Sequence, residues 1–185
     1  SNDVIDLDAS VQDNIKSLAD AKKVKPSDIS ACVLERDRHS EIIESLREIG
    51  SKVILIPDGD VAGVMMTSQE EIDVDIYFGI GGAPEGVLAA AALQCLGGQM
   101  QTRLVIRNDD EKKRAEKAGI KDLEKKYYID DLASGDIIFV ATGVTEGTMV
   151  KGVKKYSNSF LTHSIVLRSD FNTTQFIQTY HPQSI

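Results

Sequence analysis

The sequence predicts an α/β protein whose sheet is mixed, mainly parallel and flanked by helices. Short apolar runs at residues 29–34, 52–57 and 74–80 alternate with helical patterns, the signature of strands joined by crossover helices. Each run is followed by a turn rich in glycine or charge. A chain of 185 residues with 42% apolar and 27% charged residues can also bury a sizeable core.

The elements follow in order. Ser10 caps a first helix, with Asp13 at the capping-box position and Val11, Ile15, Leu18 and Ala19 on one face. Lys22 and Lys23 lie near its end, where cations suit the helix dipole. Residues 25–28 form a turn and 29–34 a strand. The helix at 39–49 carries Ile42, Ile43, Leu46 and Ile49 on its apolar face and stops at Gly50. A strand at 52–57 leads to a short helix at 61–66, which Asp60 is expected to cap. Then come a strand at 74–80, a helix at 84–96, a strand at 99–107 and a charged helix at 109–118 stopped by Gly119. Residues 121–131 read as a solvated helix or loop. A strand at 136–142 precedes the glycine turn 143–147. The Thr-, Ile-, Val- and Phe-rich stretches 158–169 and 173–180 read as antiparallel strands. At 185 residues the chain is expected to form one domain, residues 1–185, or two small ones sharing a sheet, and no internal repeat is present.

Bulk properties narrow the function. A formal net charge of −8 argues against a nucleic-acid partner, and no apolar stretch is long enough to span a membrane. Cys32 and Cys95 fall inside apolar runs without metal-ligand spacing, which reads as buried thiols in a reducing cytoplasm. The chain does not begin with Met, and its first apolar segment starts abruptly at Val4, as in a fragment of a longer protein.

Three clusters stand at the C-terminal ends of predicted strands, the edge where open α/β sheets bind ligands. In the first, residues 35–39, Arg36 and Arg38 can fork onto a phosphate beside Asp37, although a solvated helix-capping turn explains the same residues. In the second, Asp58, Gly59 and Asp60 can bind sugar hydroxyls or a metal, although Asp-Gly is also an ordinary turn. In the third, residues 79–85, a glycine turn opens a helix whose free N–H groups attract an anion, with Glu85 in its first turn. Anion-binding amides beside a fixed carboxylate suit a phosphate held next to a metal ion. A dinucleotide fingerprint fits this stretch poorly, because Pro84 stands where glycine or alanine belongs and no acidic residue follows at the required distance. Together the clusters suggest a polar pocket for a phosphorylated polyol. His39, His163 and His181 show no spacing that suggests a metal site, and the sequence has neither a nucleophile elbow nor a P-loop.

The chain resembles the class II fructose-1,6-bisphosphatases of bacteria, including those that also accept sedoheptulose 1,7-bisphosphate. The resemblance rests on Arg36-Asp-Arg-His39, Ile56-Pro-Asp-Gly-Asp-Val-Ala62, Tyr77-Phe-Gly-Ile-Gly-Gly-Ala-Pro-Glu-Gly86 and Phe139-Val-Ala-Thr-Gly-Val-Thr145, in order along the chain. It implies the layered sugar-phosphatase fold shared with inositol monophosphatases. It also implies that Arg36, Asp37, Arg38, Asp58, Gly59, Asp60 and Gly82 contact the sugar bisphosphate, and that Glu85 is a catalytic ligand of Mn²⁺ or Mg²⁺. The family's Asp-Pro-[Leu/Ile]-[Glu/Asp]-Gly-Thr type motif, which carries the other metal carboxylates, is absent. The chain therefore resembles the carboxy-terminal half of such an enzyme and is expected to be inactive alone, and the intact enzyme is expected to be a homo-oligomer. The rival readings are a non-catalytic sugar-phosphate-binding module, a nucleotide-cofactor enzyme and an inositol-phosphate phosphatase.

Overall fold

The computed structural model describes residues 4–183. Helix α1 (Val11–Lys22) begins where the Ser10 side chain accepts from the Asp13 amide. Strand β1 (Ser30–Leu34) is buried along its whole length, because it is the central strand of a parallel sheet ordered β2-β1-β3. Its neighbours are β2 (Lys52–Ile56) and β3 (Ile76–Phe78), paired through Leu34↔Ile56 and Val33↔Phe78. Because all three strands run the same way, their C-terminal ends share one edge.

The two faces of this sheet are covered differently. Ala31, Val33 and Ile76 pack with Ile15 and Ala19 of α1 and with Ile43 and Leu46 of α2 (Ser40–Glu48). Cys32 points the opposite way, as strand alternation requires, and packs with Met66 of α3 (Asp60–Met66) and Val74. Burial pushes the Cys32 thiol up to about 11, and Cys95 is buried too. Asp60 is the first residue of α3; its cap is Gly59, whose φ of +81° is a left-handed conformation that glycine adopts without strain.

Helix α4 (Ala83–Leu96) joins the two parts of the fold. Its run of small residues allows close approach on two sides, and Ala89, Ala90, Ala92, Leu93 and Cys95 are all buried. One side packs on α3; the other packs on β6 (Ile138–Thr142) and β8 (Ser159–Arg168), where Ala92 and Cys95 meet Phe139, Ile165 and Leu167.

The parallel sheet with its helices agrees with the sequence reading, but the rest of the sheet structure is antiparallel and separate from it. Strand β8 is the centre of a four-stranded antiparallel sheet with β6, β7 (Lys154–Lys155) and β9 (Thr173–Pro182). Strand β9 leaves Phe176 and Tyr180 exposed. The strand expected at 99–107 shrinks to β4 (Gln101–Thr102), which pairs antiparallel with β5 (Tyr127–Tyr128). Beyond Thr102 this segment turns from the sheet to line a cleft. Helix α5 (Asp109–Lys117) is capped by Asn108, which accepts from the Glu111 amide. The 121–131 stretch ends in β5 and the one-turn helix α6 (Ile129–Leu132). No helix among the described residues is long and apolar enough to cross a membrane.

Candidate functional site

The parallel sheet brings the turns after β1, β2 and β3 to one edge, with the β1 turn between the other two. In the β2 turn, one oxygen of each aspartate holds local backbone. The Gly59 amide donates to Asp58 Oδ1 at 2.8 Å, and the Val61 amide donates to Asp60 Oδ1 at 2.9 Å. The other Asp60 oxygen lies over Gly81, 2.7 Å from where a Cβ would stand. A side chain at position 81 would therefore displace that carboxylate.

The β3 turn is shaped by its glycines in the same way. At Gly79 a Cβ would meet the Tyr77 hydroxyl oxygen at 2.7 Å. At Gly82 it would collide with the Glu85 carboxylate, which folds back over the turn. Gly82 is the cap of α4 and offers no side chain, and Pro84 sits in the first turn where no donor is needed. The first amides of α4 have no acceptor within the helix, and the Glu85 carboxylate lies against Gly82 at its start. Tyr77 is held well above the usual tyrosine range, chiefly by burial and then by the Asp60 carboxylate, so its phenol stays protonated and neutral.

The β1 turn is tied to the glycine turn by two hydrogen bonds. Arg38 Nε donates to the Ile80 carbonyl at 2.8 Å, and the Ile80 amide donates to His39 Nε2 at 2.9 Å. Arg36 donates from Nη1 to the Glu35 carbonyl at 2.8 Å. The side chains of Arg36, Asp37 and Arg38 are exposed and free to meet a ligand with their remaining polar atoms.

A cleft of about 670 Å³ opens beside these turns. Asp60, Gly82 and Glu85 line it together with Tyr77. Arg36, Asp37, Arg38, Asp58 and Gly59 are not among its lining residues and stand along the neighbouring strand ends. The far wall carries Arg103, Arg107 and Arg114, cations that the sequence reading did not single out. Arg103 pairs with Asp8 and reaches Glu124 at 3.9 Å; its Nε is buried without a partner among the described residues. The signal for this wall was faint: Arg107 and Arg114 stand seven residues apart around α5, which as sequence reads only as a charged helix. His39 closes the 35–39 cluster and Tyr77 opens one of the matching stretches, but neither was assigned a role, since nothing local marks what a lone histidine or tyrosine does in a site.

A divalent cation needs several converging anionic oxygens. Among the described residues, no group of three His, Cys, Asp or Glu side chains could hold a metal ion. Glu85, with its carboxylate over the glycine turn, offers one anionic group and does not make a metal site by itself.

Comparison with known proteins gives one consistent match. The family model described as "Bacterial fructose-1,6-bisphosphatase, glpX-encoded" matches residues 1–181. The chain is 36% identical to the fructose-1,6-bisphosphatase class 2 of Haemophilus influenzae, over 96% of this chain and 57% of that protein. It is 33% and 34% identical to proteins of Trichodesmium erythraeum and Synechocystis named D-fructose 1,6-bisphosphatase class 2/sedoheptulose 1,7-bisphosphatase, again over 96% of this chain and 55% of each. The chain thus spans about half the length of these curated relatives.

Proposed function

The chain belongs to the bacterial, glpX-encoded fructose-1,6-bisphosphatase family, and we propose that in the whole protein it supplies the sugar-phosphate-binding part of an enzyme that hydrolyses the 1-phosphate of fructose 1,6-bisphosphate. Sedoheptulose 1,7-bisphosphate is a second substrate of the same chemistry, as the names of two relatives suggest. The observation that carries this reading is the convergence of an arginine turn, an aspartate turn and an anion-receptive helix start on one sheet edge.

Each turn has a role in the proposal. Arg36 and Arg38 bind the distal phosphate, with Asp37 beside them, and this remote contact aligns the reacting end. Asp58 and Asp60 already hold backbone amides with one oxygen each and accept from sugar hydroxyls with the other. Gly59 permits the left-handed turn that presents them. Gly82 and the amides after it orient the reacting phosphate, because a negatively charged oxygen there meets unsatisfied donors and the positive end of the α4 dipole. Glu85 is the chain's ligand to Mn²⁺ or Mg²⁺, an ion that offsets phosphoryl charge and acidifies a water when bound. One carboxylate is too few, so the remaining ligands come from the part of the longer protein that this chain does not include, and the chain alone is inactive. The whole is the layered sugar-phosphatase fold, of which this chain is the carboxy-terminal half.

Phosphate release from fructose 1,6-bisphosphate with Mn²⁺ tests the proposal in three samples: the full-length protein, its Glu85→Gln variant and this chain alone. Release by the full-length wild type only is the expected result. No release by the full-length protein, with sugar-phosphate binding retained, would leave a non-catalytic binding module.

A further inference from the structure

His39 has no solvent exposure, and both of its ring nitrogens are used. Nδ1 lies 2.8 Å from the Leu34 carbonyl, which can only accept, so Nδ1 carries the proton. Nε2 lies 2.9 Å from the Ile80 amide, which can only donate, so Nε2 presents its lone pair. A neutral imidazole protonated on Nδ1 is the single form that satisfies both contacts. Leu34 ends β1, and Ile80 is the second residue of the glycine turn after β3. The ring therefore bridges two strand ends beyond their last paired residues, Val33 and Phe78. Arg38 donates to the carbonyl of the same Ile80 at 2.8 Å, so residues 38 and 39 hold both polar backbone groups of Ile80. The His39 amide in turn donates to the Arg36 carbonyl at 2.8 Å, which makes the arginine turn part of one hydrogen-bonded unit.

We infer that His39 is a positioning residue that sets the distance between the Arg36–Arg38 turn and the Gly79–Gly82 turn, and so matches the site to a sugar carrying two phosphates. The inference rests on the proposed sugar-bisphosphate site. A ligand with a phosphate at each end spans both turns and senses their separation, whereas a monophosphate held at the arginine turn does not. A burial role alone would make no such distinction.

The test uses the full-length protein and two substitutions that divide the work of the ring. His39→Asn keeps a donor near the Nδ1 position for Leu34 and has nothing at the Nε2 position. His39→Gln places an amide oxygen near the Nε2 position and can still accept from Ile80. Loss of one neutral hydrogen bond in His39→Asn is expected to raise KM for fructose 1,6-bisphosphate about fivefold to tenfold. The product-inhibition constant of fructose 6-phosphate is expected to stay within about twofold, and His39→Gln to recover most of the loss. Equal weakening of both ligands, or no change in either, overturns the inference. Amide hydrogen exchange reads the bridge without any ligand. Ile80 should lose protection in His39→Asn and keep it in His39→Gln, and continued protection in His39→Asn overturns the inference. Nitrogen NMR of the wild-type imidazole needs no variant to fold; a proton on Nε2 instead of Nδ1 also overturns it. If the wild type handles no sugar phosphate, the functional proposal fails, while the exchange and tautomer results still decide the bridge.

Discussion

Replacing Gly82 by alanine separates what the glycine turn does for function from what it does for stability. Gly82 has φ −74° and ψ 149°, a conformation that alanine adopts freely, so no backbone strain follows. The new Cβ would stand 3.1 Å from Glu85 Cδ and 3.4 Å from Oε1, with Oε2 closer still. The obstacle is the far end of a flexible side chain, so the carboxylate swings away and the backbone stays. Alanine is a poorer helix cap than glycine, which costs about 1 kcal/mol and lowers the midpoint of thermal unfolding by about 2–4 °C. Activity in the full-length protein should fall much further, about 10- to 100-fold, as when a group supporting a metal ligand is lost. Because the defect acts through Glu85, the double variant Gly82→Ala/Glu85→Gln should be no slower than Glu85→Gln alone. Steady-state phosphate release across the four proteins of this cycle, with melting curves, measures both effects. Independent, multiplying losses, or a fully active Gly82→Ala enzyme, would refute the claim that Gly82 is needed to leave room for the Glu85 carboxylate.

Other glycines give different outcomes for stated steric reasons. At Gly152 a Cβ would lie 2.7 Å from the Glu146 amide nitrogen and 2.8 Å from the Thr145 carbonyl carbon, both backbone atoms. Gly152→Ala is therefore expected to destabilise by about 1–3 kcal/mol in denaturant titrations. Gly86, inside α4, has nothing within 4 Å of its virtual Cβ, and Gly86→Ala should raise stability by about 0.5–1 kcal/mol. Lys126 bonds to Asp6 and Asp8 and holds both carboxyls below their ordinary 3.8. Stabilisation from a lowered carboxyl is complete above its unfolded-state value and is lost as pH falls through the folded value. Melting temperatures recorded as pH falls below about 4 should therefore drop less steeply in Lys126→Met than in the wild type, and less steeply in high salt.

The helices were legible because their ends carry local chemistry that tertiary contacts do not override. Ser10 and Asp13 form the N-terminal cap of α1 as their spacing indicates, and Gly50 turns left-handed (φ +82°) just after α2. Strands β1 to β3 were legible as apolar runs because β1 is buried along its whole length and its neighbours β2 and β3 are at least half-buried beyond the exposed Lys52. Once they are parallel, their three following turns must share an edge, so the geometry of the candidate site was largely implicit in the sequence. The 99–107 segment misled because its apolar residues resemble a strand, whereas only Gln101 and Thr102 find a partner strand. Leu104 to Arg107 line the cleft instead. The Asp60 cap failed for a local reason: the Asp60 carboxylate bonds the amide of its neighbour Val61, inside the helix that Gly59 begins. His39 was legible as the end of the arginine cluster but its bridge was not, since that depends on a carbonyl five residues before it and an amide 41 residues after it.

If the three turns form one sugar-phosphate site, calorimetric titration of the full-length protein with fructose 6-phosphate will register the loss of any one of them. Wild type, Arg38→Ala, Asp58→Asn and Glu85→Gln would be compared under one set of conditions. Arg38→Ala is expected to weaken binding about 10- to 100-fold, the worth of a charge-assisted contact to phosphate. Asp58→Asn should weaken binding less, and Glu85→Gln should bind about as well as wild type while losing turnover. Unchanged affinity in both Arg38→Ala and Asp58→Asn would contradict the claim and place the sugar phosphate elsewhere in the protein.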